Sequence, residues 1–183
     1  TDAQGNRREL ELNDLGNPVE ERLLDALGQT RWIERRIFNE IGWLSSVSDA
    51  YSNQSSFSYD VVANLIQETS PSGNTHSYKY DGFHHRTQTT DPLGKVTQVL
   101  YKDTGDVYRV SDPRSRLTYY SYNGFGEVTQ VRSPDTGTTD ITYDEAGNVA
   151  TRKTAKGQTT SYSYDALNRI IETSSDVAGE SPI

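Results

Sequence analysis

Bulky and small polar side chains alternate with a period of two along short stretches of the chain. In Ile141-Thr142-Tyr143 and in Tyr162-Ser163-Tyr164, two large residues flank a small polar one. Such alternation is typical of a β-strand with one face packed and the other in water. Related triplets occupy residues 57–59, 78–80, 99–101 and 120–122. The pattern predicts a series of short strands rather than helices.

The residue that closes each triplet, here called the anchor, recurs at a fixed interval. From Phe38 onward the interval is 21 residues, repeated without interruption. The anchors are Phe38, Tyr59, Tyr80, Tyr101, Tyr122, Tyr143 and Tyr164. Leu12 is an earlier anchor, separated from Phe38 by 26 residues. A register this regular predicts one continuous array over residues 1–183, with about eight repeats.

Each repeat contains two turn signals. The first follows the anchor, as in Asp144-Glu145-Ala146-Gly147, and the second comes about ten residues later, as in Asp91-Pro92-Leu93-Gly94. Asp and Asn accept hydrogen bonds from backbone amides ahead of them, and Gly adopts a positive φ without steric cost. The predicted turn glycines are Gly16, Gly28, Gly42, Gly73, Gly94, Gly105, Gly126, Gly147 and Gly157.

Residues 18–27 fit two structures. Asn17 before Pro18, with Gly28 at the far end, is a start and stop signal for a helix. The repeat register places Gly16 and Gly28 at consecutive turns, which makes the same residues a strand. The register favours the strand, and a helix stays the alternative.

A Val, Leu or Ile lies six residues beyond most anchors, at Leu65, Val107, Val128, Val149 and Ile170. We expect each to face its anchor across a hairpin, a kind of pair that contributes about 0.2–1 kcal/mol. The predicted fold is all-β: an antiparallel meander of tandem β-hairpins. Open sheets rarely exceed about ten strands without curling, so the strip is expected to curl or spiral.

Composition agrees with a sheet that has much solvated surface. Hydrophobic residues make up 32% of the chain, yet it contains 12 Tyr and 4 Phe, which argues against disorder. A net charge of −8 argues against binding to nucleic acid. No apolar run is long enough for a membrane span, and no signal peptide is visible.

The residues that carry chemistry form no evident site. The histidines are His76, His84 and His85, and no further ligands stand at metal-binding intervals from them. Each turn offers one or two carboxylates, fewer than a calcium loop requires. We therefore expect no catalytic residues, no metal and no cofactor, and interpret the protein as a structural piece rather than an enzyme.

The segment Tyr143-Asp144-Glu145-Ala146-Gly147-Asn148-Val149 resembles the YD repeat of bacterial Rhs proteins, of the C component of insecticidal toxin complexes and of teneurins. The resemblance extends over almost the whole chain. Departures stand at the Gly position (Ala63, His84 and Asn168), at the Asp position (Lys102) and at the Val position (Arg86). They leave the turn type of those repeats open.

The resemblance implies a strip of hairpins that spirals into a shell, which in bacterial members encloses a toxic C-terminal polypeptide. The implied partners are the remainder of the shell and that cargo, and the implied location is outside the producing cell or in a target cell. The alternative is an adhesion module that binds cell-surface glycans or proteins through its Tyr-rich face.

The repeat register also starts and stops within a repeat. Asp2-Ala3-Gln4-Gly5 and Asp176-Val177-Ala178-Gly179 both have the form of a second turn. We expect a fragment of a larger protein whose unpaired strand edges favour self-association.

Overall fold

The computed structural model describes residues 1–176, and all its regular elements there are β-strands, sixteen in number. The prediction of an all-β antiparallel meander is confirmed. These residues include no helix with the length and apolar character that a membrane crossing requires. Of the expected C-terminal turn, residues 177–179 lie outside the described range.

The described chain divides into two compact units, of which the first is Thr1–Lys95. Its strands pair antiparallel with one another in chain order. The strands are β1 (Arg7–Leu12), β2 (Pro18–Leu24), β3 (Thr30–Phe38), β4 (Leu44–Asp49), β5 (Gln54–Tyr59), β6 (Leu65–Thr69), β7 (Thr75–Tyr80) and β8 (Arg86–Thr90).

The second unit begins at Val96 and has the same organisation. Its strands also pair antiparallel in chain order. They are β9 (Val96–Tyr101), β10 (Val107–Ser111), β11 (Leu117–Tyr122), β12 (Val128–Ser133), β13 (Gly137–Tyr143), β14 (Val149–Lys153), β15 (Thr159–Tyr164) and β16 (Ile170–Asp176).

The register within each hairpin matches the sequence pattern. Tyr143 lies opposite Val149, and Tyr59 lies opposite Leu65. The register shifts between Thr142 and Tyr143, and a similar irregularity lies beside the first turn of every repeat. The predicted pairing of anchors with the residue six positions later is confirmed.

The segment with two interpretations is a strand. Residues Pro18–Leu24 form β2, in which Glu21 pairs with Leu10 on one side and with Glu34 on the other. A short isolated helix is marginal in water, whereas a central strand satisfies its backbone on both sides. Tertiary pairing therefore prevails over the helix signals at Asn17 and Gly28.

The two kinds of turn have the same structure. In the turn after Tyr143, Asp144 N–H donates to Asn148 O at 2.9 Å, and Gly147 N–H donates to Asp144 O at 3.1 Å. The turn that begins at Asp91 shows the same pair of hydrogen bonds. A type I turn followed by a residue with positive φ gives this geometry. In the described chain it connects every pair of consecutive strands except β12 and β13.

The β12–β13 connection is shorter than the other turns. Pro134, Asp135 and Thr136 form the turn, and Gly137 begins β13 opposite Ser133. Gly137 has a φ of 72°, and a Cβ there would lie 2.5 Å from the Cβ of Ala155. Only glycine fits this close approach.

The residues that replace glycine leave the turn type unchanged. Ala63, His84 and Asn168 have φ values of 71°, 65° and 59°, in turns with the same hydrogen bonds. Ser52 and Ser115 occupy the equivalent place in two second turns that lack the glycine signal. The aspartates Asp49 and Asp112, which open those turns, hold the same position in the repeat.

Neither unit encloses a conventional core. Leu24 and Ile33 are the buried apolar side chains of the described residues, at 7% and 9% exposure. The chain exposes 12836 Å², whereas a compact monomer of 20.5 kDa exposes about 8,900 Å². The packing of each unit is therefore that of a half-buried sheet.

Candidate functional surface

Large side chains gather on one face of each unit, here called the anchor face because it carries the anchors. In the second unit Tyr120 pairs with Val131, and Ile141 lies on the same face two residues before its anchor. Ser121, Thr142 and Ser163 point to the other face and are exposed. The alternation predicted from sequence therefore produces two chemically different surfaces.

Each predicted anchor occupies the last residue of its strand. In addition, four of the anchor tyrosines form a hydrogen bond that the sequence did not predict. The hydroxyls of Tyr80, Tyr122, Tyr143 and Tyr164 donate to the backbone oxygens of Leu65, Val107, Val128 and Val149, at 2.8–3.0 Å. Each acceptor lies six residues after the preceding anchor, so the bond joins consecutive repeats. The sequence feature that could have indicated this hydrogen bond is the presence of Tyr rather than Phe at the anchor position.

Burial raises the pKa of the Tyr122 hydroxyl, with smaller contributions from Asp106 and Tyr120. The hydroxyl therefore stays protonated over a wide pH range and keeps its bond to Val107 O. Through these hydrogen bonds the four anchor tyrosines hold consecutive repeats together.

The turn carboxylates are engaged by the chain itself. One oxygen of Asp144 accepts from the amides of Ala146 and Asn148, at 2.9 and 2.8 Å, and the other accepts from Asn148 Nδ2 at 3.2 Å. The Asn148 amide is the main cause that lowers the Asp144 pKa. Residues 1–176 contain no group of three or more His, Asp or Glu side chains arranged around a metal position.

The predicted turn glycines all have positive φ, between 75° and 87°. Two of the residues that replace glycine instead link neighbouring turns. His84 Nδ1 lies 2.8 Å from Asn64 Oδ1, and Asn148 Nδ2 donates to Asn168 Oδ1 at 3.0 Å. In both cases the partner belongs to the preceding repeat. Side chains at these positions therefore supply contacts that glycine lacks.

A charged cluster interrupts the anchor face of the first unit. Arg8 Nε donates to Glu21 Oε1 at 2.5 Å, and Arg36 Nη2 lies 3.4 Å from Glu21 Oε2. Glu21 is only 9% exposed, and the bond from Arg8 is the main cause that lowers its pKa. Arg36 also pairs with Glu34. The buried carboxylate is fully compensated, which is the condition for a stable buried charge.

An open cavity of about 550 Å³ lies beside the second turn at Ser70, lined in part by Phe57, Glu68 and His76. Tyr78 Oη donates to Glu68 Oε1 at 2.5 Å, and burial together with that carboxylate raises the pKa of Tyr78 to about 12. The hydroxyls of Ser70 and Ser72 bond to each other at 2.9 Å. No base is directed at either serine, so this geometry does not form a nucleophilic site.

Comparison with known proteins points to the same kind of repeat. The RHS Repeat family model matches residues 64–96 and 143–181. None of the curated proteins matches the chain by sequence.

Solved structures share the fold. The chain matches the Photorhabdus luminescens Tc holotoxin pore, solved with a TccC3 mutation, at a TM-score of 0.75, with 14% identity over 96% of this chain and 11% of that one. It matches TcdB2-TccC3 at 0.75, with 15% identity over 93% and 12% of the two chains. It matches TcdB2-TccC3-Cdc42 at a TM-score of 0.71, with 14% identity over 97% of this chain and 11% of that one.

The chain thus spans about a tenth of the length of the chains that it resembles. The two segments that match the family model share one uninterrupted 21-residue register with the sequence between them. The same hairpin and turn geometry recurs outside those segments, from β1 onward. The chain therefore carries RHS repeats over residues 64–96 and 143–181, and its hairpin array shares the fold of the Tc toxin chains.

Proposed function

We propose that the chain is a segment of the wall of a shell that encloses a toxic polypeptide. The supporting observation is the two-sided hairpin array: one face carries the anchors and their apolar partners, and the other carries small polar side chains. A wall needs such a difference between its faces: the polar face meets water, and the anchor face meets the enclosed chain.

The fold likeness to chains of Tc toxin complexes supports this proposal. The partners are then the rest of the shell and a C-terminal toxic cargo, and the assembly acts after secretion or delivery to a target cell. The contribution we propose is structural rather than catalytic, since many of the carboxylates are engaged in turns and ion pairs.

Limited proteolysis of the full-length protein tests the proposal. The expected result is a C-terminal polypeptide that resists protease while the shell is folded and is digested at once after denaturation. As a control, the same polypeptide expressed alone should be digested at the denatured rate. Rapid digestion of the polypeptide while the hairpin array stays intact would overturn the proposal.

A further inference from the structure

The turn that begins at Asn123 reverses the polarity of the turn one repeat later. In the later turn, the Asp144 carboxylate accepts a hydrogen bond from Asn148 Nδ2 at 3.2 Å. In the earlier turn the amide comes first, and Asn123 Nδ2 donates to Glu127 Oε2 at 2.6 Å. Each turn therefore holds one carboxylate and one amide, and the two side chains attract each other.

Asn123 is also positioned to react with the backbone of the next residue. Asn123-Gly124 is the single Asn-Gly pair of the chain. The side-chain amide of an asparagine can be attacked by the nitrogen of the following residue, and glycine has no Cβ that hinders the approach. Gly124 is exposed, and its N–H has no hydrogen-bond partner within the part of the chain that the structure describes. Its nitrogen is therefore available for the attack.

The turn stabilises the intermediate of that reaction. Asn123 Oδ1 accepts from the backbone amides of Phe125 and Glu127, at 3.0 and 3.1 Å. When the Gly124 nitrogen attacks Cγ, negative charge develops on this oxygen, and two N–H groups already point at it. The hydrogen bond from Phe125 closes a ring that contains both Cγ and the Gly124 nitrogen. The atoms that react therefore lie within one tight turn.

We propose that Asn123 is a site of spontaneous deamidation in the folded protein. The Gly124 nitrogen loses its proton to solvent and forms a bond to Asn123 Cγ. The bond between Cγ and Nδ2 then breaks, and the nitrogen takes a proton from solvent and leaves as ammonia. Water opens the resulting cyclic imide at either carbonyl, which gives aspartate or isoaspartate. The net reaction consumes water and releases ammonia, with no oxidation or reduction.

Deamidation reverses the interaction within the turn. A carboxylate at position 123 keeps an oxygen for the backbone amides, as Asp144 does in its own turn. It loses the donor to Glu127, so that two carboxylates face each other. No turn of this kind in residues 1–176 has acidic side chains at both of these positions. Because like charges at this distance repel, the modified turn is less stable.

Peptide mass spectrometry of the folded chain, incubated at mildly alkaline pH, measures the reaction. The internal comparisons are Asn13 and Asn39, whose side-chain oxygens accept the same two backbone amides. They precede Asp14 and Glu40, which carry side chains. Asn123 should therefore convert to the carboxylate about tenfold faster than either comparison residue. Equal rates at the three positions, or an unmodified Asn123, would overturn the proposal.

Gly124→Ala is the matched control for the attacking nitrogen. A Cβ added at Gly124 meets nothing within 4 Å, so the variant should keep the fold. Its methyl group should slow the conversion of Asn123 about tenfold and leave Asn13 and Asn39 unchanged. An unchanged rate at Asn123 would show that the Gly124 nitrogen is not the nucleophile.

The same incubation in urea separates the contribution of the turn from that of the Asn-Gly pair. The folded chain should convert Asn123 at least as fast as the denatured chain, because only the folded turn holds the two N–H donors on Oδ1. Slower conversion in the folded chain would contradict the stabilising role of the turn.

Substitutions that imitate the product test its effect on stability. Asn123→Asp should lower the urea midpoint of unfolding at neutral pH, because it places a carboxylate against Glu127. The double variant Asn123→Asp with Glu127→Asn recreates the pair formed by Asp144 and Asn148, and it should unfold at the midpoint of the parent chain. A single variant as stable as the parent, or a double variant no more stable than the single one, would refute this consequence. The inference concerns one turn and does not depend on the shell proposal.

Discussion

At the scale of single residues, the anchor tyrosine has two roles. Its ring packs on the anchor face opposite the residue six positions later, and its hydroxyl binds the backbone of the preceding repeat. The packing of the ring follows from the sequence, because the period-two alternation places the tyrosine on the anchor face. The hydroxyl role depends on how adjacent hairpins approach, which no period-two pattern specifies.

Removal of the Tyr143 hydroxyl tests the hydrogen bond to the preceding repeat. Tyr143→Phe should lower the free energy of unfolding by about 1 kcal/mol, because it leaves Val128 O without its donor. Urea denaturation measures the change. Tyr162→Phe is the matched control, since the Tyr162 hydroxyl has no hydrogen-bond partner among residues 1–176 and its loss should change stability little. Equal losses in the two variants would contradict the role of the inter-repeat bond.

The glycine position of the first turn offers a second prediction. Ala63 has a φ of 71° and no compensating side-chain bond, so Ala63→Gly should stabilise the chain by about 1 kcal/mol. Asn168→Gly relieves the same backbone strain but loses the bond from Asn148, and its gain should be smaller. Thermal or urea unfolding of both variants checks the order, and a larger gain for Asn168→Gly would contradict it.

At the scale of the elements, the hairpin is specified mainly by its turns. The spacing of Asp and Gly predicts where strands end, and β2 shows that the register is a better guide than helix signals at Pro18 and Gly28. The sequence did not indicate that both turns share one hydrogen-bond pattern. Ser52 and Ser115 adopt a positive φ at the position where glycine would have indicated this turn, so the shared pattern cannot be recognised from the sequence of those repeats.

The turn carboxylates give the hairpins a defined pH dependence. The pKa values of Asp60, Asp144 and Asp165 lie below the ordinary value of 3.8, mainly because of bonds from Asn64, Asn148 and Arg169 respectively. The unfolded chain therefore takes up protons first as the pH falls below about 3.8, and protonation favours unfolding. The contribution of these three turns to stability should be constant well above that pH and decline below it.

Replacement of the three aspartates by asparagine tests this origin. Asn keeps the oxygen that accepts the backbone amides, as Asn123 already does in its turn. The triple variant should lose less stability than the parent between pH 4 and pH 2, in urea denaturations at each pH. An identical decline in both proteins would assign the acid sensitivity to other groups.

At the scale of the whole molecule, the fold was predictable because the same local rule applies in every repeat. The low apolar content of 32% and the occurrence of one anchor per repeat both indicated a chain with no enclosed core. The ion cluster of Arg8, Glu21 and Arg36 was not predictable, because its members come from three strands and none belongs to the repeat pattern. The link between His84 and Asn64 was not predictable either, because it depends on how the turns of adjacent repeats approach each other.

If the anchor face is the inner surface of a wall, cysteines placed on the two faces of a strand should differ in reactivity, and residues 1–183 contain no cysteine of their own. Thr160 and Ser161 are adjacent, similar in size and both half-buried, yet they lie on opposite faces of β15. Single cysteines at these positions in the full-length protein can be labelled with a bulky maleimide. Thr160→Cys should react at least about tenfold more slowly than Ser161→Cys in the folded protein, and both should react equally after denaturation. Equal rates in the folded protein, or faster labelling of Thr160→Cys, would contradict it.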